Sequence, residues 1–215
     1  MIPAAALLLQ LAASPAAQGT VVTQMFWSQS LGVNKQMVVY LPPSYSRSSA
    51  RRYPVAYYLH GLGGSERDWT VRGGLDVVMD SLVAAGAPEL IVVMPDGDDS
   101  WYTTWHRLPD VSACRASAPR GGESVDAFCV PWPHYDDYVA RDLVRVVDRT
   151  YRTMASRDHR AIAGLSMGGF GAVTLALRYP DVFAAAASHS GVLAPREWAP
   201  RAFATAVPHT DADST

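Results

Sequence analysis

Gly164-Leu165-Ser166-Met167-Gly168-Gly169 lies between a short, mostly apolar run, Arg160-Ala161-Ile162-Ala163, and a segment rich in small residues over 170–179 that Pro180 closes. The first run reads as a buried strand and the second as a helix. Gly-x-Ser-x-Gly between a strand and a helix has the spacing of a nucleophile elbow, where the chain turns so sharply that the serine is strained and its hydroxyl stands exposed above the sheet. The flanking glycines permit that crowding because they carry no Cβ. The helix beginning there would aim free N–H groups and the positive end of its dipole at a developing oxyanion.

Working outward, residues 55–59 form a continuous apolar run that reads as a strand buried on both faces, and it leads directly into His60-Gly61-Leu62-Gly63-Gly64. Residues 90–94 repeat the pattern and end at Pro95-Asp96-Gly97. Helical patterning is expected over 75–85 and 135–151, the latter with Val139, Leu143, Val146 and Val147 on one face and Arg141, Asp142, Arg145 and Asp148 toward water. Residues 21–27 and 36–41 read as an antiparallel edge turning at Gly32-Val33-Asn34-Lys35, and 182–187 as one more strand, leading to Ser188-His189-Ser190-Gly191. Alternating strands and helices predict an α/β fold, a mostly parallel sheet with helices on both faces.

The chain has 215 residues and a net charge of −2, enough for one domain and with no charge excess to suggest nucleic acid or an acidic membrane surface as partner. Lys35 is its only lysine. Residues 1–17 are uncharged and Ala/Leu-rich, ending Ser14-Pro15-Ala16-Ala17, which suits a secretory signal peptide or an uncleaved N-terminal extension and is too short and interrupted to span a membrane. Secretion or a periplasmic location would fit Cys114 and Cys129, which could close a short disulfide loop or remain two structural thiols. The domain is then expected to cover 18–215.

A serine hydroxyl needs a histidine to take its proton and a carboxylate to orient that histidine, in this fold in the order serine, acid, histidine. After Ser166 the histidines are His189 and His209 and the carboxylates Asp181, Glu197, Asp211 and Asp213. His189 reads as a packed strand-end residue and His209 sits in a tail without pattern, so neither base nor acid is assigned. The oxyanion donors are expected to be the backbone N–H groups of Met167 and Leu62, with His60 a structural hydrogen-bonding residue. Trp101, Tyr102 and Trp105 could form an acyl or sugar subsite or simply pack on the domain. Asp96, Asp98 and Asp99 lack calcium-loop spacing and read as a solvated turn, so no metal and no cofactor is expected.

Pro42-Pro43-Ser44-Tyr45, Leu59-His60-Gly61, Met94-Pro95-Asp96-Gly97, Ser100-Trp101-Tyr102, Tyr138-Val139-Ala140-Arg141-Asp142-Leu143, the elbow and Ser188-His189-Ser190-Gly191 together resemble the Putative esterase family. That family includes esterase D (S-formylglutathione hydrolase), feruloyl and acetylxylan esterases, enterochelin esterases and mycolyltransferases. The resemblance implies an α/β-hydrolase fold whose acid and histidine follow two further strands, beyond residue 215, and hence a chain truncated at its C-terminus with an open apolar edge near 182–187. It implies a secreted serine esterase acting on a small-molecule or carbohydrate-linked ester through an acyl-enzyme on Ser166. The alternatives are an acyltransferase of the mycolyltransferase type or a non-catalytic carbohydrate- or lipid-binding relative.

Overall fold

The computed structural model describes residues 18–104, 110–116 and 125–193. Six strands form one sheet: β1 (Thr20–Ser28), β2 (Val33–Leu41), β3 (Val55–Leu59), β4 (Ile91–Pro95), β5 (Arg160–Leu165) and β6 (Ala185–His189), in the spatial order β1-β2-β4-β3-β5-β6. β2 is antiparallel to β1 and β4, while the β3–β4, β3–β5 and β5–β6 pairs are parallel, so five strands run one way. Parallel neighbours need crossovers, and the helices supply them.

These are α1 (Asp68–Val71), α2 (Leu75–Ala84), α3 (Val111–Arg115), α4 (Val125–Phe128), α5 (Tyr135–Asp137), which continues through a π-helix (Tyr138–Leu143) into α6 (Val144–Thr150), and α7 (Met167–Arg178). Every residue of β4 is buried, as an Ile-Val-Val-Met run covered on both faces should be. On one face Val39, Val93 and Ile162 meet Leu143, Val147 and Leu175 of the π-helix, α6 and α7 in the main core. On the other, Val38, Tyr40, Val92 and Met94 pack with Leu75 of α2 in a smaller one. The predicted two-sided α/β sheet is therefore present.

Four local expectations change. The first turn is made by residues 29–32, with Gly32 at a φ of 69°, so Lys35 lies inside β2 and is fully buried. Asp142 is also buried: it accepts hydrogen bonds from Ser28 Oγ (2.9 Å) and the Ser30 N–H (2.8 Å). The π-helix adds a residue to the turn there and rotates Asp142 inward, a shift that strict helical periodicity does not foresee. Asp96 is buried and the Asp98 side chain is only 7% exposed, so these residues are not a solvated turn; Lys35 faces both. The last strand starts at Ala185 rather than 182; Phe183 before it is buried against Tyr57 with ring centroids 5.8 Å apart. The Cys114–Cys129 disulfide is formed. The expected leader at 1–17, Trp105 and His209 lie outside the described residues. Among the described residues, no helix is long and apolar enough to cross a membrane.

Candidate active site

Ser166 is the single residue between β5 and α7, with φ 53° and ψ −114°. A residue bearing a Cβ is held there at a cost of about 1–3 kcal/mol, and persists only where its surroundings fix it. Here the Ser166 N–H donates to the His189 carbonyl (2.9 Å) and the Ser166 carbonyl accepts from the Phe170 N–H (3.0 Å). A Cβ on Gly168 would overlap the Leu59 carbonyl oxygen and lie 2.6 Å from that of His60. The missing side chain lets the first turn of α7 sit directly on the end of β3.

The loop leaving β3 runs beside the serine. A Cβ on Gly61 would lie 3.6 Å from Ser166 Cβ, in ordinary contact. No hydrogen bond among the described residues uses the N–H of Leu62 or Met167. Met167 opens α7, where N–H groups have no intrahelical acceptor. Both expected oxyanion donors thus lie on segments that border Ser166.

Behind that loop is a buried charge cluster. Lys35 Nζ lies 2.6 Å from Asp96 Oδ2 and 2.9 Å from both oxygens of Asp98, and it donates to the Ala127 carbonyl (3.3 Å). Tyr135 OH donates to Asp98 Oδ2 at 2.5 Å. Burial holds the Asp98 carboxyl above the usual range, with Asp96 adding to the effect against the pull of Lys35. His60 is 1% exposed; its Nδ1–H donates to the Gly61 carbonyl (2.8 Å) and its Nε2 accepts from the Gly97 N–H (2.9 Å). Burial lowers its pKa, but the neighbouring Asp96, the Gly61 carbonyl and Asp98 together leave it above the ordinary histidine value. The Gly97 N–H needs a lone pair at Nε2, so this geometry belongs to the neutral Nδ1–H tautomer. Both ring nitrogens of His60 are thus engaged within the fold.

The remaining named residues separate. Tyr102 is fully buried, its OH donating to the His60 carbonyl (3.2 Å) and its ring packed where a Cβ on Gly171 would be. Trp101 is 9% exposed and meets Phe170 edge to face at 5.6 Å. Trp101 and Tyr102 thus both pack into the domain, and both stand at positive φ, 59° and 55°. His189 has its ring 5.9 Å from Trp69 and 6.4 Å from Tyr58, packed at the strand end. An open cavity of about 990 Å³ starts at Gly63 and Gly64 and reaches Asp99, Met25 and the exposed Trp27. Trp27 was hidden from sequence reasoning because one aromatic on an alternating strand carries no directional signal. His134, Asp136 and Asp137 have metal-ligand spacing, but Asp136 is already engaged by Thr104, Tyr179 and Arg178.

A sheet in this order with β2 reversed, a strained serine at the β5–α7 turn and a glycine-rich loop after β3 beside it define an α/β-hydrolase. Solved structures agree: a ferulic acid esterase (TM-score 0.65, 33% identity, 82% of this chain and 61% of that one) and, for the fold alone, an S-formylglutathione hydrolase from Agrobacterium tumefaciens (TM-score 0.63, 23% identity, 90% and 66%). The chain belongs to the family described as Putative esterase, whose model matches residues 28–213. An esterase of Mycobacterium tuberculosis is 37% identical over 167 residues, 77% of this chain and 31% of that protein. An endo-1,4-beta-xylanase/feruloyl esterase of Xylanibacter ruminicola is 31% identical over 169 residues, 77% and 20%. The chain thus spans about a third or less of the length of these curated relatives.

Proposed function

We propose that this chain hydrolyses carboxylic esters through an acyl-enzyme on Ser166, with the Leu62 and Met167 N–H groups binding the oxyanion. The observation that carries this reading is Ser166 at φ 53° with Gly61 in contact distance of its Cβ. In that arrangement the hydroxyl attacks an ester carbonyl, the carbonyl oxygen turns toward the two N–H groups as it gains charge, the alcohol leaves, and water releases the acid. One such donor contributes on the order of 3 kcal/mol to transition-state stabilisation. The packing of the His189 ring beside Trp69 and Tyr58 supports reading it as a strand-end residue, and the proton acceptor is proposed to lie outside the described residues.

A carbohydrate-linked acyl ester is the proposed substrate, on the likeness to a ferulic acid esterase and to a xylanase/feruloyl esterase. Export is proposed from the apolar leader together with the Cys114–Cys129 bridge, which an oxidising compartment would preserve. The test is hydrolysis of p-nitrophenyl acetate and covalent labelling by a fluorophosphonate. Both should occur in the wild type and vanish in Ser166→Ala; folded wild type that neither hydrolyses nor labels would overturn the reading.

A further inference from the structure

We propose that Lys35, Asp96, Asp98 and Asp99 are positioning residues that brace the loop from His60 to Gly63 through the segment following β4, holding the Leu62 N–H toward Ser166. The inference rests on the esterase reading and names what makes its oxyanion loop rigid. Within that loop the Gly61 carbonyl accepts from the Gly64 N–H (3.0 Å) and from His60 Nδ1, but among the described residues no bond of the loop's own holds Leu62. Gly61, Gly63 and Gly64 carry no side chain, Gly63 sits at a φ of 71°, and the Leu62 side chain is 59% exposed, so nothing packs over it. A donor that must meet a developing charge without rearranging has to be held by something else.

Three struts from residues 97–102 reach it. The Gly97 N–H donates to His60 Nε2, Tyr102 OH to the His60 carbonyl, and the Gly63 N–H to Asp99 Oδ1 at 2.6 Å. The struts spring from a segment that is itself strained, with Asp98, Trp101 and Tyr102 at φ values of 49°, 59° and 55°. Such conformations persist only under external restraint, and the charge cluster supplies it. Lys35 grips Asp96 and Asp98 on either side of Gly97, Asp98 accepts from Tyr135, and the Asp96 carbonyl accepts from Tyr138 OH at 2.8 Å. A buried ion cluster adds little net stability compared with apolar packing. Its geometric effect is another matter: the compact ammonium of the only lysine satisfies two carboxylates from one point, which the wide planar fork of an arginine would not. Strand β2, the loop after β4 and the loop after β3 are thereby locked in one chain of contacts that ends at the oxyanion donor.

Asp99 gives the discriminating test, since it lies at the end of the chain and touches the loop directly. Amide hydrogen exchange over residues 60–64 and the rate of Ser166 modification by a fluorophosphonate are measured in wild type, Asp99→Ala, Asp99→Asn and Lys35→Met. Asp99→Ala should speed exchange in that loop and slow the inactivation step about tenfold with little change in reagent affinity. Asp99→Asn, which keeps an acceptor at Oδ1, should restore both. Lys35→Met should do the same as Asp99→Ala but more strongly, about a hundredfold. Unchanged loop exchange in Asp99→Ala, or equal loss in Asp99→Asn, would overturn the brace. If Lys35→Met does not fold, the two Asp99 variants decide it alone. If wild type is not labelled, the esterase reading fails while the exchange result still decides whether the brace exists.

Discussion

On the β3–β4 side of Ser166 the polar side chains are buried and bonded to one another, whereas on the β6 side the strand is exposed along its whole length. His60, Lys35 and Asp96 are buried, Lys35 pairs with Asp96 and with the largely covered Asp98 carboxylate, and the struts that follow end on the loop that would present the Leu62 N–H. Across the elbow, all five residues of Ala185-Ala186-Ala187-Ser188-His189 are exposed, and β6 is joined to the rest by its ladder with β5, by its packing beside Gly169 of α7, by the Ser166 N–H to His189 bond and by the His189 ring against Trp69 and Tyr58. Backbone donors for an oxyanion must be fixed before the reaction begins. A bare strand cannot hold a side-chain base with the same rigidity. The two flanks of Ser166 are thus built to different degrees within residues 18–193.

If that contrast is right, the largest effect should come from disturbing the contact between the two loops and the elbow. Gly168→Ala would drive a methyl group into the Leu59 and His60 carbonyl oxygens, both on backbone that the surrounding bonds hold in place. We expect a loss of about 3 kcal/mol or more, the range of severe backbone clashes, read as a fall in the urea midpoint together with loss of labelling at Ser166. A variant as stable and as reactive as wild type would mean that the elbow is not pinned to β3.

Much of this flank was legible beforehand, and the reason is chemical. Gly-x-Ser-x-Gly and His60-Gly61-Leu62-Gly63-Gly64 advertise themselves because special backbone conformations demand glycine, and glycine is visible in a sequence. The strand runs at 55–59 and near 91–95 were equally plain from their apolar continuity. The charge cluster was not. Asp96-Gly97-Asp98-Asp99 has the composition of a solvated turn, and only its distant partner Lys35, which residue pattern placed in a turn four residues wide, makes it a buried network. Asp142 was misplaced for a related reason, since a π-helix breaks the 3.6-residue period on which an inside–outside assignment depends.

The next effect belongs to the disulfide, which staples the segment carrying the Ala127 carbonyl that Lys35 contacts. Replacing both Cys114 and Cys129 by alanine opens a loop of sequence separation 15 and should cost about 3 kcal/mol on the chain-entropy account. Thermal unfolding with and without reductant checks it: reductant should lower the wild-type transition to that of the double variant and leave the variant unmoved.

A smaller effect is expected at Glu89, which ties the end of β2 to the approach of β4. It accepts from the Ser44 N–H (2.9 Å) and Ser44 Oγ (2.5 Å) and pairs with Arg51 (2.5 Å). Burial raises its pKa, but the Ser44 hydrogen bonds and the nearby arginines outweigh burial and leave it below the ordinary 4.5. A carboxylate whose pKa is depressed on folding stabilises the native state above its unfolded value and loses that advantage as pH falls through the folded one. Glu89→Gln should therefore cost about 1–2 kcal/mol at pH 7. The gap between variant and wild type should close progressively below pH 4.5, as followed by urea unfolding at a series of pH values.

The smallest change is expected on the bare flank, and it is the one that could undo the comparison. Ala186 is exposed in the middle of β6, so Ala186→Lys should shift stability by less than about 0.5 kcal/mol. A lysine on an unpaired edge also discourages strand-to-strand association, so light scattering should show less self-association than wild type. A large fall in the midpoint would carry a different message. It would mean that residues outside 18–193 cover β6 in solution, that the two flanks are equally built in the native protein, and that the covering segment is the place to look for the group that activates Ser166.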